Sequence, residues 1–228
     1  MRWLIAAPVY AAAYAVAMLA FWWMARRRGM PAQTAAAIMT AGLLGGLAGA
    51  NIVQFVLTGL PGKTIEGGIA GGWLAVIAAK RALGITRGTG DLFALAIPAG
   101  EAVGRIGCFI GGCCYGKIAG VAWAVHDHAA SRHPAQLYLS IAAALCFAVL
   151  YSIERRMRLR DNALFYLGGT LFCADRFIAE FFRDGAPATL GLTLAQIACC
   201  AGFTFFTWKL AGSFYRGRVA TAAAASAG

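Results

Sequence analysis

Residues 91–116 read DLFALAIPAGEAVGRIGCFIGGCCYG. From Asp91 to Gly112 the stretch is long and apolar enough to cross a bilayer, which takes about 20 residues. It nevertheless carries Glu101 and Arg105 in its interior, ends among glycines, and crowds Cys108, Cys113 and Cys114 around the arginine. Arginine is expensive to hold in lipid, so one inside a span marks a functional site by default. The same reading extends outward along the chain, to a fold made of membrane-spanning helices.

Composition agrees. Of 228 residues, 61% are hydrophobic and 13% charged, and the mean hydropathy is +0.69. A soluble globular chain is nearer half apolar and a quarter charged. Seven stretches have the length of a span, at about 3–25, 35–57, 66–84, 91–112, 134–153, 161–182 and 190–211. The expected fold class is all-α, a polytopic membrane protein with about seven transmembrane helices. Residues 1–211 form a single transmembrane domain in this reading. The tail 212–228, ending ATAAAASAG, is small and unpatterned and is expected to be disordered. The net charge of +11 does not call for nucleic acid, because basic residues of membrane proteins gather in cytoplasmic loops. Arg26–Arg28, Lys80, Arg81, Arg87, Arg155, Arg156, Arg158, Arg160, Lys209, Arg216 and Arg218 fall on one side, against Arg2, Lys63, Lys117, Arg132 and Arg183 on the other. The bias puts the N-terminus outside and the C-terminus in the cytoplasm. Seven cysteines, an odd number lying mostly in apolar segments, do not read as a secreted disulfide framework.

Glycines at 42–49 (GLLGGLAG) and 67–72 (GGIAGG) have small-xxx-small spacing, which lets helices approach closely in lipid. The charges inside spans point elsewhere. Counted from the cytoplasmic ends of their helices at about 1.5 Å per residue, Arg105 and Arg176 reach a similar depth toward the outer leaflet. Glu101 lies one turn from Arg105 and Glu180 one turn from Arg176, both i,i+4 pairs. Glu66 opens the third span from the outer side. Two arginines from different helices beside a glycine-rich break suit an anionic headgroup, because the planar guanidinium fork matches phosphate. No cofactor is implied. The Cys108, Cys113, Cys114 spacing lacks the paired pattern of a metal site, and none is assigned. Trp123, His126 and His128 lie in the outer loop 113–133, Trp123 as an interface anchor.

GRIGCFIGGCCYGK, then VAWAV, RHPAQLY and DRFIAEFFRDG resemble the prolipoprotein diacylglyceryl transferases over about residues 60–185. The resemblance implies a multi-pass bacterial inner-membrane enzyme. Such an enzyme takes the diacylglyceryl group of phosphatidylglycerol to the lipobox cysteine of a preprolipoprotein and releases glycerol phosphate. Family positions kept here are Gly104, Arg105, Gly107, Gly116, Arg132, His133, Gln136, Tyr138, Arg176, Glu180 and Arg183. The family's GRIGNFINGELYG has asparagine at Cys108 and glutamate at Cys113; its histidine before a glycine pair falls on Glu66, and its tyrosine falls on Phe172.

The resulting assignment gives Arg105 and Arg176 the phosphate and lets Glu180 orient Arg176. It makes Glu66 the base for the acceptor thiol, since an apolar pocket raises a carboxylate's pKa. Gly104, Gly107, Cys108, Cys114, Gly116, Arg132, His133, Gln136 and Tyr138 are expected to line the substrate. Cys113 beside arginines is a candidate nucleophile that accepts the lipid covalently. Packing or a disulfide are the alternatives for the cysteines. Two other functions stay open: a phospholipid-binding or translocating protein that breaks no bond, and a thiol-redox protein.

Overall fold

The apolar runs all fold as helices in the computed structural model, which describes residues 2–62, 64–157, 159–160, 162–185 and 188–226. The side chains of Trp3, Ile65, Glu66 and residues 216–226 lie outside that description. The elements in chain order are α1 Arg2–Arg27, α2 Ala32–Thr58, α3 Ile65–Ala82, α4 Gly90–Ala94, α5 Ala96–Gly111, β1 Val125–Asp127, β2 Ala130–Arg132, α6 Ala135–Arg156, α7 Ala163–Glu180 and α8 Leu194–Ser226. With α4 and α5 taken together, each of the seven expected stretches corresponds to one helical segment. Five are long and apolar enough to cross a membrane: Leu4–Arg27, Ala32–Thr58, Gly90–Gly111, Ala135–Arg156 and Leu194–Tyr215. α3 and α7 are shorter, at 18 residues each, so their three charged residues apiece fall within a shorter apolar run. The surface is inverted relative to a soluble protein. Leu4, Leu44, Phe55, Trp73, Leu145, Ile178 and Trp208 are exposed, whereas Asp91, Arg105, Gln136, Glu154, Arg176 and Glu180 are buried. An apolar exterior of this extent faces lipid.

Three boundaries depart from the sequence reading, each for a local reason. The 91–112 stretch is broken at Leu95, because Pro98 has no N–H to give the Ala94 carbonyl one turn back. The last helix starts at Leu194 rather than 190. Residues 188–192 form a tight reversal through Leu190 (φ 55°) and Gly191 (φ 74°). Thr193 and Gln196 then make a reciprocal capping box, with Thr193 N donating to Gln196 Oε1 at 3.0 Å and Gln196 N to Thr193 Oγ1 at 3.2 Å. The segment expected as a disordered tail is helical in its backbone as far as Ser226, which its alanine content favours.

Contacts cluster in two compact units, Phe21–Thr89 and Met1–Ala20 with Gly90–Gly228. In the first, α2 and α3 form an antiparallel pair whose glycines interlock. A Cβ on Gly49 would stand 2.7 Å from Gly71 Cα and closer still to the Gly67 carbonyl, and one on Gly45 would meet Ala75 and the Gly71 carbonyl. The small-xxx-small spacings therefore serve helix packing. Gly49→Val is expected to cost about 2–3 kcal/mol of stability through overpacking, read as a lowered thermal midpoint of the detergent-solubilised protein; Gly59→Ala, where a Cβ meets open space but φ is 68°, costs less.

In the second unit α5 packs on the first part of α1 through a stripe of its own. Gly100 faces Ala13 and Ala17, Gly104 faces Ala13, Gly107 faces Tyr10, and Gly111 faces Ala6. α5 also packs on α6, α6 on α7, and α7 on α8. The buried Asp91 carboxylate of α4 accepts from Asn162 N and Phe165 N, both at 2.9 Å. It caps α7 from outside and fixes where that helix starts.

Candidate functional site

The site begins where α5 stops. Gly112, in the left-handed region (φ 71°), ends the helix, and Cys113 N returns to Cys108 O at 3.1 Å. Cys114 is also left-handed (φ 58°). These two reversals fold Cys113 and Cys114 back beside Cys108 on the last turn of α5. The buried Gln136 at the start of α6 holds the turn, Nε2 donating to Cys113 O at 2.7 Å. Gln136, expected to line the substrate, thus acts on the backbone.

Arg105 is 8% exposed and points both Nε and Nη2 at one oxygen, Glu101 Oε1, at 3.0 and 2.8 Å. On α7, Glu180 Oε2 lies 2.9 Å from Arg176 Nη1 and 2.8 Å from Arg183 Nη1. The two contacts differ in kind. Arg183 makes an aligned hydrogen bond to Glu180, whereas Arg176 Nη1 is close in distance but misdirected, and remains a buried donor without a hydrogen-bond partner. The positive charges of Arg183 and Arg105 both act on Arg176. Arg105 and Arg176, set on different helices, therefore belong to one electrostatic cluster. Glu101 also acts on Asp175, the residue before Arg176. One glutamate cannot saturate two guanidinium groups, so Arg176 retains donor capacity for an anion.

The loop between α5 and α6 is stitched to the end of α7. Gly116 bridges Arg183 by backbone pairing, Lys117 N donates to Phe182 O at 2.9 Å, and Asp184 N donates to Tyr115 O at 3.2 Å. A Cβ on Gly116 would sit 2.7 Å from Phe182 O, so only glycine fits this crossing. Arg132 donates to Gly116 O at 3.1 Å and Asp184 Oδ2 at 2.7 Å, and lies over the Tyr115 ring. β1 and β2 pair as a short antiparallel hairpin. At its turn, Arg2 Nη1 donates to Asp127 Oδ1 at 2.9 Å. Burial would raise the Asp127 carboxyl, but Arg2 and His128 outweigh it and hold it below the ordinary value.

Trp123 Nε1 donates to Tyr138 Oη at 2.7 Å, and the same oxygen is 3.1 Å from His133 Nδ1. The phenol oxygen has a second lone pair as well as its own proton, so it accepts from Nδ1–H or donates to a bare Nδ1 according to the imidazole tautomer.

The three thiols have unequal surroundings. Hydrogen bonds from Cys108 and Cys113, then the charges of Arg183 and Arg105, hold the Cys114 thiol well below its ordinary value. Hydrogen bonding to Cys108 and Cys114, with burial, pushes Cys113 upward. The sequence nominated Cys113 as nucleophile; the thiol beside the arginines is Cys114. Tyr10 Oη reaches Cys108 Sγ at 3.5 Å.

The fold thus gathers Arg105, Arg176, Glu180, Cys108, Cys113, Cys114 and Gly116 around the break after α5, with Arg132, His133, Gln136 and Tyr138 in the covering loop and the start of α6. Gly104 and Gly107, expected to line the substrate, instead face Ala13 and Tyr10 of α1. Glu66 lies in the first turn of α3, and its side chain is outside the described residues. Tyr10 and Asp175 were missed, and so was the contact that Trp123 makes with Tyr138. A tyrosine in a first span carries no sequence sign of its partner 98 residues away. Asp175 did have a sign, as a carboxylate inside an apolar run.

Fold and site together define a polytopic helical membrane protein with a buried arginine cluster. A family profile described as prolipoprotein diacylglyceryl transferase matches residues 4–211. The phosphatidylglycerol–prolipoprotein diacylglyceryl transferase of Methylococcus capsulatus is 31% identical, over 91% of each chain. That of Methylibium petroleiphilum is 32% identical, over 87% of this chain and 90% of its own. A protein of the same name from Campylobacter curvus is 33% identical over 111 residues, which is 47% of this chain and 41% of that one. The chain belongs to the prolipoprotein diacylglyceryl transferase family and is a transferase.

Proposed function

We propose that the protein takes the diacylglyceryl group of phosphatidylglycerol to an acceptor thiol, the lipobox cysteine of a preprolipoprotein, in the bacterial inner membrane. In this reading all seven helical segments span, with the N-terminus outside and the C-terminus in the cytoplasm. The observation that carries the proposal is Arg176, a buried guanidinium with a donor left over, in one charge cluster with Arg105. A buried guanidinium N–H without an acceptor is what a phosphodiester oxygen needs.

The reaction balances without a cofactor. The acceptor sulfur attacks the glyceryl carbon that bears the phosphate ester, the carbon–oxygen bond breaks, and glycerol phosphate leaves with the electron pair. The thiol proton goes to a base, for which the sequence nominates Glu66. Arg105 and Arg176 stabilise charge gathering on the leaving phosphate. Arg183 shares Glu180 with Arg176 and so sets how much of that carboxylate Arg176 receives.

A second reading rests on Cys114, which stands next to Arg105 and Arg183. It would take the diacylglyceryl group itself, forming a thioether on the protein. A thioether is a poor leaving arrangement compared with a phosphate ester, so such an adduct would be an end product rather than a carrier.

One experiment separates these. Purified protein is incubated with phosphatidylglycerol and a lipobox peptide, and intact masses of both are recorded. The expected result is a diacylglyceryl adduct on the peptide alone. An adduct on the protein alone would establish the second reading, and lipid binding with neither mass changed would establish a protein that only binds phospholipid.

A further inference from the structure

The sequence spacing Cys108, Cys113, Cys114 argues against a metal site, because common sites use paired cysteines a few residues apart. The turn removes that objection. With Gly112 and Cys114 both left-handed, the chain doubles back within three residues, and the sulfurs of Cys108, Cys113 and Cys114 all lie within 4.8 Å of one another. We propose that these three cysteines form a thiolate site for a single thiophilic monovalent metal ion, with Cu(I) the ion that the donor set fits.

The donors decide the ion. Three sulfurs and no fourth histidine, cysteine or carboxylate within the group, among the described residues, make a three-coordinate site. Zinc in structural sites takes four ligands, and calcium or magnesium takes oxygen. Thiolates suit both Cu(I) and zinc, but zinc needs a fourth ligand, whereas Cu(I) is satisfied by three sulfurs in a plane. With metal–sulfur bonds of about 2.3 Å, a trigonal arrangement puts the sulfurs about 4 Å apart. The observed separations close to that by small side-chain rotations.

Charge and access also fit. Three thiolates around Cu(I) carry a net charge of minus two, and Arg105 and Arg183 lie on the side of Cys114. Tyr10 Oη, 3.5 Å from Cys108 Sγ, and Gln136, which holds Cys113 O at 2.7 Å, set the orientation of the ligands, as surrounding residues do in metal sites. Cys113 is exposed, which gives an ion a way in. Binding exchanges metal for whatever protons the three sulfurs still carry: those protons go to solvent, acetonitrile leaves the copper, three copper–sulfur bonds form, and no electron is transferred.

The test uses the full chain in detergent, without oxygen, after intact mass has shown all thiols reduced. Cu(I) is supplied as its acetonitrile complex against a chromophoric Cu(I) chelator, and copper retained per chain is measured. The expected result is one copper per chain, with retention falling about a hundredfold in each of Cys108→Ser, Cys113→Ser and Cys114→Ser, at the upper end of what even a supporting residue costs a metal site. Cys200→Ser, in α8, should retain copper as the unaltered protein does. No copper held against the chelator by the reduced protein overturns the proposal. So does undiminished binding in Cys113→Ser, the exposed position least able to disturb the fold.

Discussion

Arg105→Gln is expected to lower diacylglyceryl transfer by about 10²–10³-fold, the loss typical of removing one donor aimed at charge that develops in a transition state. The variant also uncouples Glu101, whose carboxylate now receives both Nε and Nη2 of Arg105. Breaking a buried pair by removing one partner costs about 3–5 kcal/mol, so lost activity alone would not separate chemistry from folding. Glu101→Gln together with Arg105→Gln makes that separation. The double variant leaves no uncompensated charge, and its thermal midpoint should recover toward that of the unaltered protein. Its transfer rate should stay low, because the phosphate has still lost its guanidinium. Recovery of transfer along with stability would show that Arg105 only neutralises Glu101. Arg105→Lys makes the comparison finer, since a lysine keeps the charge and loses the planar fork that matches phosphate.

How much of this was legible depends on whether the information is local. Helix identity and the approximate limits of each helical segment follow from apolar run length, which the sequence states directly. The two i,i+4 pairs, Arg105 with Glu101 and Arg176 with Glu180, follow from helical period alone and are present as expected. The capping box at Thr193 and Gln196 was equally local, and reading it would have moved the start of α8 to its observed place. What could not be read is what two reversals bring together. Gly107 enters the expected substrate lining as a position kept from the family pattern, and only the fold brings the Tyr10 ring of α1 against it. Gln136 looked like a substrate contact, and only the folded turn shows it holding Cys113 O. The cysteines were read by spacing along the chain, which measures distance in space poorly where a left-handed residue turns the backbone around.

Glu180→Gln should be the most damaging single change in the second unit. The carboxylate is 6% exposed, and its Oε2 is shared by two guanidinium groups, Arg176 and Arg183, at 2.9 and 2.8 Å. Glutamine keeps the shape but removes the negative charge that Glu180 sets against that pair. Two like charges then remain close together, with Arg105 adding to their repulsion. Stripping one partner from a buried charge cluster costs about 3–5 kcal/mol, which should appear as a lowered thermal midpoint and, in cells, as reduced abundance. An anion at the arginines would supply the missing charge, so phosphatidylglycerol should stabilise Glu180→Gln more than it stabilises the unaltered protein. Neutral phosphatidylcholine should not discriminate between the two. Equal stabilisation by both lipids would mean that the arginine cluster does not meet the phosphodiester, and would count against the proposed site as a whole. Arg183→Gln tests the same geometry from the other side. It removes the competitor for Glu180 Oε2 and relieves repulsion on Arg176, so its thermal midpoint should fall by less than that of Glu180→Gln.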